Sequence, residues 1–148
     1  MRGGVGRIKR FYHLSWRERR LFVESLVLQI WIGLLIKIIP FRWIPRVFSS
    51  PQSSVSSLQS SVFSRQSEII EMIGAATSRA AGVSPWRNRC LVSSLAARCM
   101  LRRRKIHSQL SLGVAKEDGG NVIAHAWLTA GEAEIVAKGD NFQQLYLF

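Results

Sequence analysis

The chain has 148 residues, room for one domain with a core of its own or for a small domain carrying a helical arm. An apolar fraction of 47% excludes a wholly disordered polypeptide. A formal charge of +12 and a pI near 11.2 attract anionic partners (nucleic acid, an acidic membrane surface or an acidic peptide) without choosing among them.

Residues 1–14 are basic and glycine-containing and read as a frayed segment. Ser15-Trp16-Arg17-Glu18 matches a capping box, in which a serine caps a helix and a Glu three residues later reaches back. The helix is expected over 16–39, stopping before Pro40. Its apolar run starts near Leu21, after seven basic residues, and no small-residue cleavage site follows, so no cleavable signal peptide is expected. Residues 21–39 barely reach bilayer length and include Glu24, Gln29 and Lys37. A buried or partner-docking helix is the preferred reading. An interfacial helix is the next, because Arg42 and Arg46 follow beside Phe41, Trp43 and Phe48.

Residues 49–67 are rich in Ser and Gln and read as a flexible linker or loop. The chain thus divides into an N-terminal helical arm over 1–48, the linker, and a core domain over 68–148. A helix is expected over 68–81, with Ile69, Ile70, Met72, Ile73 and Ala76 on one face and Gly82 near its end. Residues 84–90 turn into a further helix over 89–104, with Leu91, Leu95, Ala96 and Met100 at helical spacing. The basic run at 102–105 closes it, where cations complement the helix dipole. Strands are expected over 107–115, 122–129 and 133–138, joined by turns at 116–121 and 130–132. Helices followed by a small antiparallel sheet make an α+β fold.

The two cysteines, Cys90 and Cys99, lie nine positions apart on one expected helix. That is about 13 Å of rise, too far for a disulfide, so free thiols in a reducing, cytoplasmic setting are expected. No metal-ligand spacing and no glycine-rich phosphate loop occurs, so neither metal nor cofactor is expected.

Cys90 falls at a helix start, where unpaired backbone N–H groups and the helix dipole favour a thiolate, with Arg87 and Arg89 nearby. His125 falls mid-strand, sharing a face with Ile123 and Trp127. A thiol at a helix start followed by an imidazole on a later antiparallel strand is the papain-type order of nucleophile and base. A third group should accept from the other imidazole nitrogen. A hairpin centred on 131–132 sets residues 137–138 opposite His125, which makes Asp140 the preferred acid and Glu134 the alternative. The Cys90 backbone N–H is a natural oxyanion donor, with Trp86 or Asn88 as candidate second donors. Trp86 and Trp127 fit either cleft walls or ordinary core aromatics. Cys99 reads as a small core residue, and His107 and His13 have no evident partner.

The residues from Trp86 to Ile106 (W-R-N-R-C-L-V-x-S-L-A-x-R-x-x-L-R-R-R-x-I), then Leu110 to Val114 (L-x-x-G-V) and Ala124 to Leu128 (A-H-A-W-L), resemble the transglutaminase-like leader peptidases of lasso-peptide biosynthesis. SWRERRLFVESLVLQ and the later Pro40-Phe41-Arg42 turn resemble the helical arm of the same proteins. The resemblance implies a papain/transglutaminase-like core that removes the leader from a ribosomally made lasso precursor peptide, freeing the core peptide for a separate macrolactam synthetase. It implies a Cys-His-Asp triad, here Cys90, His125 and Asp140. The family's acid usually lies about a dozen positions after the His, where this chain has Ala137 and Lys138. It also implies the split form of the enzyme, in which a separate recognition protein holds the leader and no leader-binding domain is present.

Three other readings stand beside that one. A transglutaminase-like acyl transferase would use the same triad. A nucleic-acid-binding module is allowed by the charge, but the aromatics do not interleave with the basic residues, and no specific nucleic acid is expected. A membrane-associated protein built on residues 16–48 would make peripheral contact through the arm.

Overall fold

The computed structural model describes residues 14–38, 60–86, 89–116, 120–139 and 141–147. The expectations for 1–13 and 39–59 lie outside the described residues. Three helices, α1 (Trp16–Ile38), α2 (Ser60–Ala81) and α3 (Arg89–Arg103), pack on an antiparallel sheet of β1 (Gln109–Lys116), β2 (Val122–Ala130), β3 (Ala133–Val136) and β4 (Gln143–Leu147). The expected α+β architecture is the observed one.

The Glu half of the capping box forms: the Ser15 backbone N–H donates to Glu18 Oε2 at 2.9 Å, and the first helical turn closes with the Arg19 N–H donating to Ser15 O at 3.0 Å. From there α1 buries Leu21, Ser25, Gln29, Ile32 and Gly33, one stripe at helical spacing. Gln29 is fully buried, and its amide donates to Ser25 Oγ at 3.3 Å and to Thr77 O on α2 at 3.1 Å. Glu18 also meets Arg79 of α2 at 3.5 Å.

Helix α2 starts at Ser60 rather than at residue 68, so the last residues of the serine-rich stretch are its opening turns. Serine and glutamine are tolerated in a helix, and composition alone could not separate a linker from its first turns. Ile70, Ile73, Ala76 and Ala80 supply its buried face.

Helix α3 is the centre of the molecule. Every residue from Leu91 to Arg98 is buried, because α1, α2 and the sheet surround it. Its C-terminus closes in a Schellman motif: the Ile106 N–H reaches Leu101 O at 3.0 Å and the Lys105 N–H reaches Arg102 O at 3.0 Å. Lys105 takes the left-handed conformation, φ +56°, where glycine is usual, and buried Ile106 supplies the accompanying apolar contact. Glu24 of α1 clamps this end, accepting from Arg104 Nη2 at 2.8 Å and from Arg104 Nη1 and Arg103 Nη1 at 3.3 Å each. Burial works to raise the Glu24 pKa, but the hydrogen bonds and charge of Arg104 and then Arg103 outweigh it and hold the carboxyl below its ordinary value.

The strand order is β3-β2-β1-β4. Leu110, Ala126, Leu128 and Ala130 join the helices in one core. The β2–β3 hairpin turns at Gly131, φ +61°, close to the expected centre. A bulge between Leu128 and Thr129 then shifts the pairing to Leu128↔Val136. Strand β4, which pairs with the outer edge of β1, was not expected. All five of its residues are exposed, so no inward face marks it in the sequence.

Candidate functional site

Cys90 is the second residue of α3, and its thiol is half-buried. Its backbone N–H is among the first four of the helix, which have no intrahelical acceptor. One turn on, the buried Ser94 hydroxyl points at the sheet and donates to Ala126 O at 3.4 Å. Ala126 adjoins His125 on β2. One hydrogen bond therefore fastens the helix one turn beyond the thiol to the strand one residue from the imidazole.

His125 Nε2 lies 2.8 Å from Ala137 O, just past the end of β3. A carbonyl only accepts, so Nε2 carries the proton and Nδ1 is left as the basic nitrogen. The ring is held on two sides: Phe142 lies 4.8 Å away between centroids and Trp127 lies 6.3 Å away, nearly parallel at 19°. Trp127 can lie across β1 because Gly113 pairs with His125. A Cβ on Gly113 would come within 2.8 Å of the Trp127 ring and 2.5 Å of Gln143 O. Strand alternation turns His125 and Trp127 to one side of β2 and Ala126 and Leu128 to the α3 side. No hydrogen bond joins the Cys90 thiol to the imidazole among the described residues.

A sequence profile of the transglutaminase-like superfamily matches residues 35–146. The chain belongs to that superfamily. Its members are typically cysteine peptidases or acyl transferases, so the domain is of the cysteine-protease type. No curated protein and no solved structure matches the chain.

Within this transglutaminase-like domain the other sequence candidates separate. Glu134 pairs with Thr129, four residues along β2 from His125, or about 13 Å of strand. The fold does not bring it to the imidazole. Asp140 lies outside the described residues. In the chain it falls between Ala137 and Phe142, both of which touch the ring. Asn88 and Arg87, the former a candidate oxyanion donor, are also outside the described residues. The Trp86 indole is committed to α1: it lies flat on the Gly33 backbone, where a Cβ would overlap it, and under Lys37 Nζ at 5.2 Å from the ring. Its Nε1 is buried without a hydrogen-bond partner. Cys99 is also half-buried, and burial pushes its thiol pKa up, which disfavours the thiolate.

Ser94, Gly113, Phe142 and the Ala137 carbonyl escaped the sequence reading. Ser94 had a signal, a polar group one turn after Cys90 on an otherwise apolar helix. Gly113, inside a strand, also signalled a close approach. The Ala137 carbonyl had none, because every residue carries one.

Proposed function

We propose that the protein is a cysteine peptidase that removes the leader from a ribosomally synthesised lasso-peptide precursor, with Cys90 as nucleophile and His125 as base. The observation that carries the chemistry is the Nε2 contact to Ala137 O. It fixes the tautomer and leaves Nδ1 as the unprotonated nitrogen, at a strand position whose neighbour Ala126 is hydrogen-bonded to the helix that Cys90 opens. The substrate class rests on the motif around Cys90 and His125.

In the proposed reaction the Cys90 thiolate attacks the scissile carbonyl, and the Cys90 backbone N–H donates to the developing oxyanion. The imidazolium gives its proton to the leaving amine, and the thioester bond remains on Cys90. His125 then takes a proton from water as its oxygen attacks the thioester, which releases the acid and restores the Cys90 thiolate beside the imidazolium. Asp140 is the side-chain acid proposed to face the imidazolium. The partners proposed are the precursor peptide, a separate leader-recognition protein and the macrolactam synthetase that consumes the product, all in the cytoplasm.

The test is incubation of the precursor peptide with this protein and the recognition protein, followed by mass spectrometry. Release of leader and core, absent with Cys90→Ala, is the expected result. Cleavage that persists in Cys90→Ala overturns the assignment. A leader product joined to an added amine instead of water assigns acyl transfer.

A further inference from the structure

The inward stripe of α1 is fully engaged by the fold, yet its outward side is apolar as well. Val23, Val27, Ile30, Trp31, Leu34 and Ile38 are exposed and recur three, four or seven positions apart, with Trp31 at 62% and Val27 at 58% exposure. Trp16, at 72%, begins the same row. Over 23 residues the row runs about 35 Å. The remaining exposed residues of the helix are Arg17 and Arg20 at one end and Lys37 at the other. Both carboxylates of the helix are turned into ion pairs with other helices, Glu18 with Arg79 and Glu24 with Arg103 and Arg104. With Lys37 drawn over the Trp86 ring, the outward face is an apolar strip with cations beside its N-terminal end and no exposed acid.

We propose that this face of α1 lies on an anionic lipid bilayer, its apolar row in the acyl boundary and Arg17 and Arg20 at the headgroup phosphates. The length and composition of the helix would also allow a span. The inward stripe decides against one, because Gln29 is bonded to Thr77 O and Glu24 to two arginines, and a spanning helix would have to surrender both sets of bonds. A second copy of the chain is disfavoured by charge, since two such faces would bring like cations together in a molecule of net charge +12. An anionic surface matches both the apolar row and the cations.

The test sediments the purified full chain with vesicles of phosphatidylcholine plus phosphatidylglycerol and with vesicles of phosphatidylcholine alone. Binding to the anionic vesicles is expected, and it should fall as salt rises. Val27→Glu with Trp31→Glu should lower binding at least about tenfold. Arg17→Gln with Arg20→Gln should lower it and flatten the salt dependence. These side chains face solvent, so the variants should melt with the parent. Should the double Glu variant fail to fold, Trp31→Gln alone is expected to weaken binding about threefold. Absence of binding to anionic vesicles overturns the proposal, as does binding that none of these substitutions changes. A concentration-dependent dimer in light scattering that Val27→Glu/Trp31→Glu dissolves, without lipid binding, would assign the face to a second copy.

Discussion

The two ends of α3 are built on opposite plans. At the C-terminus, Ile106 and Lys105 satisfy the last carbonyls, Arg104 donates to Met100 O at 2.8 Å, and Glu24 ties the end to α1. At the N-terminus, the first backbone N–H groups have no intrahelical acceptor, and Cys90 sits among them half-buried. One end is closed by local and long-range bonds, while the other presents backbone N–H groups that have no partner inside the helix. The anchored end is the one farther from Cys90, the proposed nucleophile.

The contrast breaks first at the thiols. Cys90→Ala should cost at least about 10³-fold in leader release while leaving the melting temperature near that of the parent. Cys99→Ala, nine residues on, should keep activity. With iodoacetamide near neutral pH, Cys90 should label faster than Cys99, whose thiol pKa burial raises. Equal rates at the two thiols would remove the distinction between the helix ends.

The clamp comes next. Glu24→Ala should lower stability by about 1–2 kcal/mol, a figure kept small because the pair is partly open to solvent, and it should be read by thermal or urea melting. Activity per folded molecule should be unchanged. An activity loss without a stability loss would mean that the two ends are coupled rather than separate.

The pH dependence of the same pair follows from its sign. Glu24 is held below its ordinary value of 4.5, so its contribution is fully present above that pH. It is lost as pH falls below 4.5 through the folded-state value. Melting of the parent should therefore steepen its decline in that acid window, and Glu24→Gln should remove that part of the slope.

The smallest effect sharpens the closed end. Lys105→Gly should stabilise the protein by about 0.5–1 kcal/mol, because the left-handed conformation at φ +56° suits glycine. A loss of stability would show that the lysine side chain contributes more than its backbone costs.

What the sequence disclosed was local. The capping box at Ser15 and Glu18 formed because both partners lie within one turn. Turn chemistry at Gly131 placed the hairpin within a residue, and the expected position opposite His125 contained Ala137. The group that meets the ring there is a backbone carbonyl, which leaves no mark in residue identity. Strand β4 escaped because it buries neither face, and the opening turns of α2 escaped because their composition is that of a linker. The Glu24–Arg104 pair joins residues 80 positions apart, and only the assembled fold reveals it.

The Gly33 notch has a consequence for how this domain can be shortened. Trp86 stands four residues before Cys90, and its indole rests on bare backbone of α1. The superfamily match begins at residue 35, two positions beyond that floor. A chain cut to the match would keep Cys90, His125 and nearly all of the sheet, yet lose the backbone on which Trp86 rests. In this protein the packing beneath Trp86 extends further towards the N-terminus than the family boundary does.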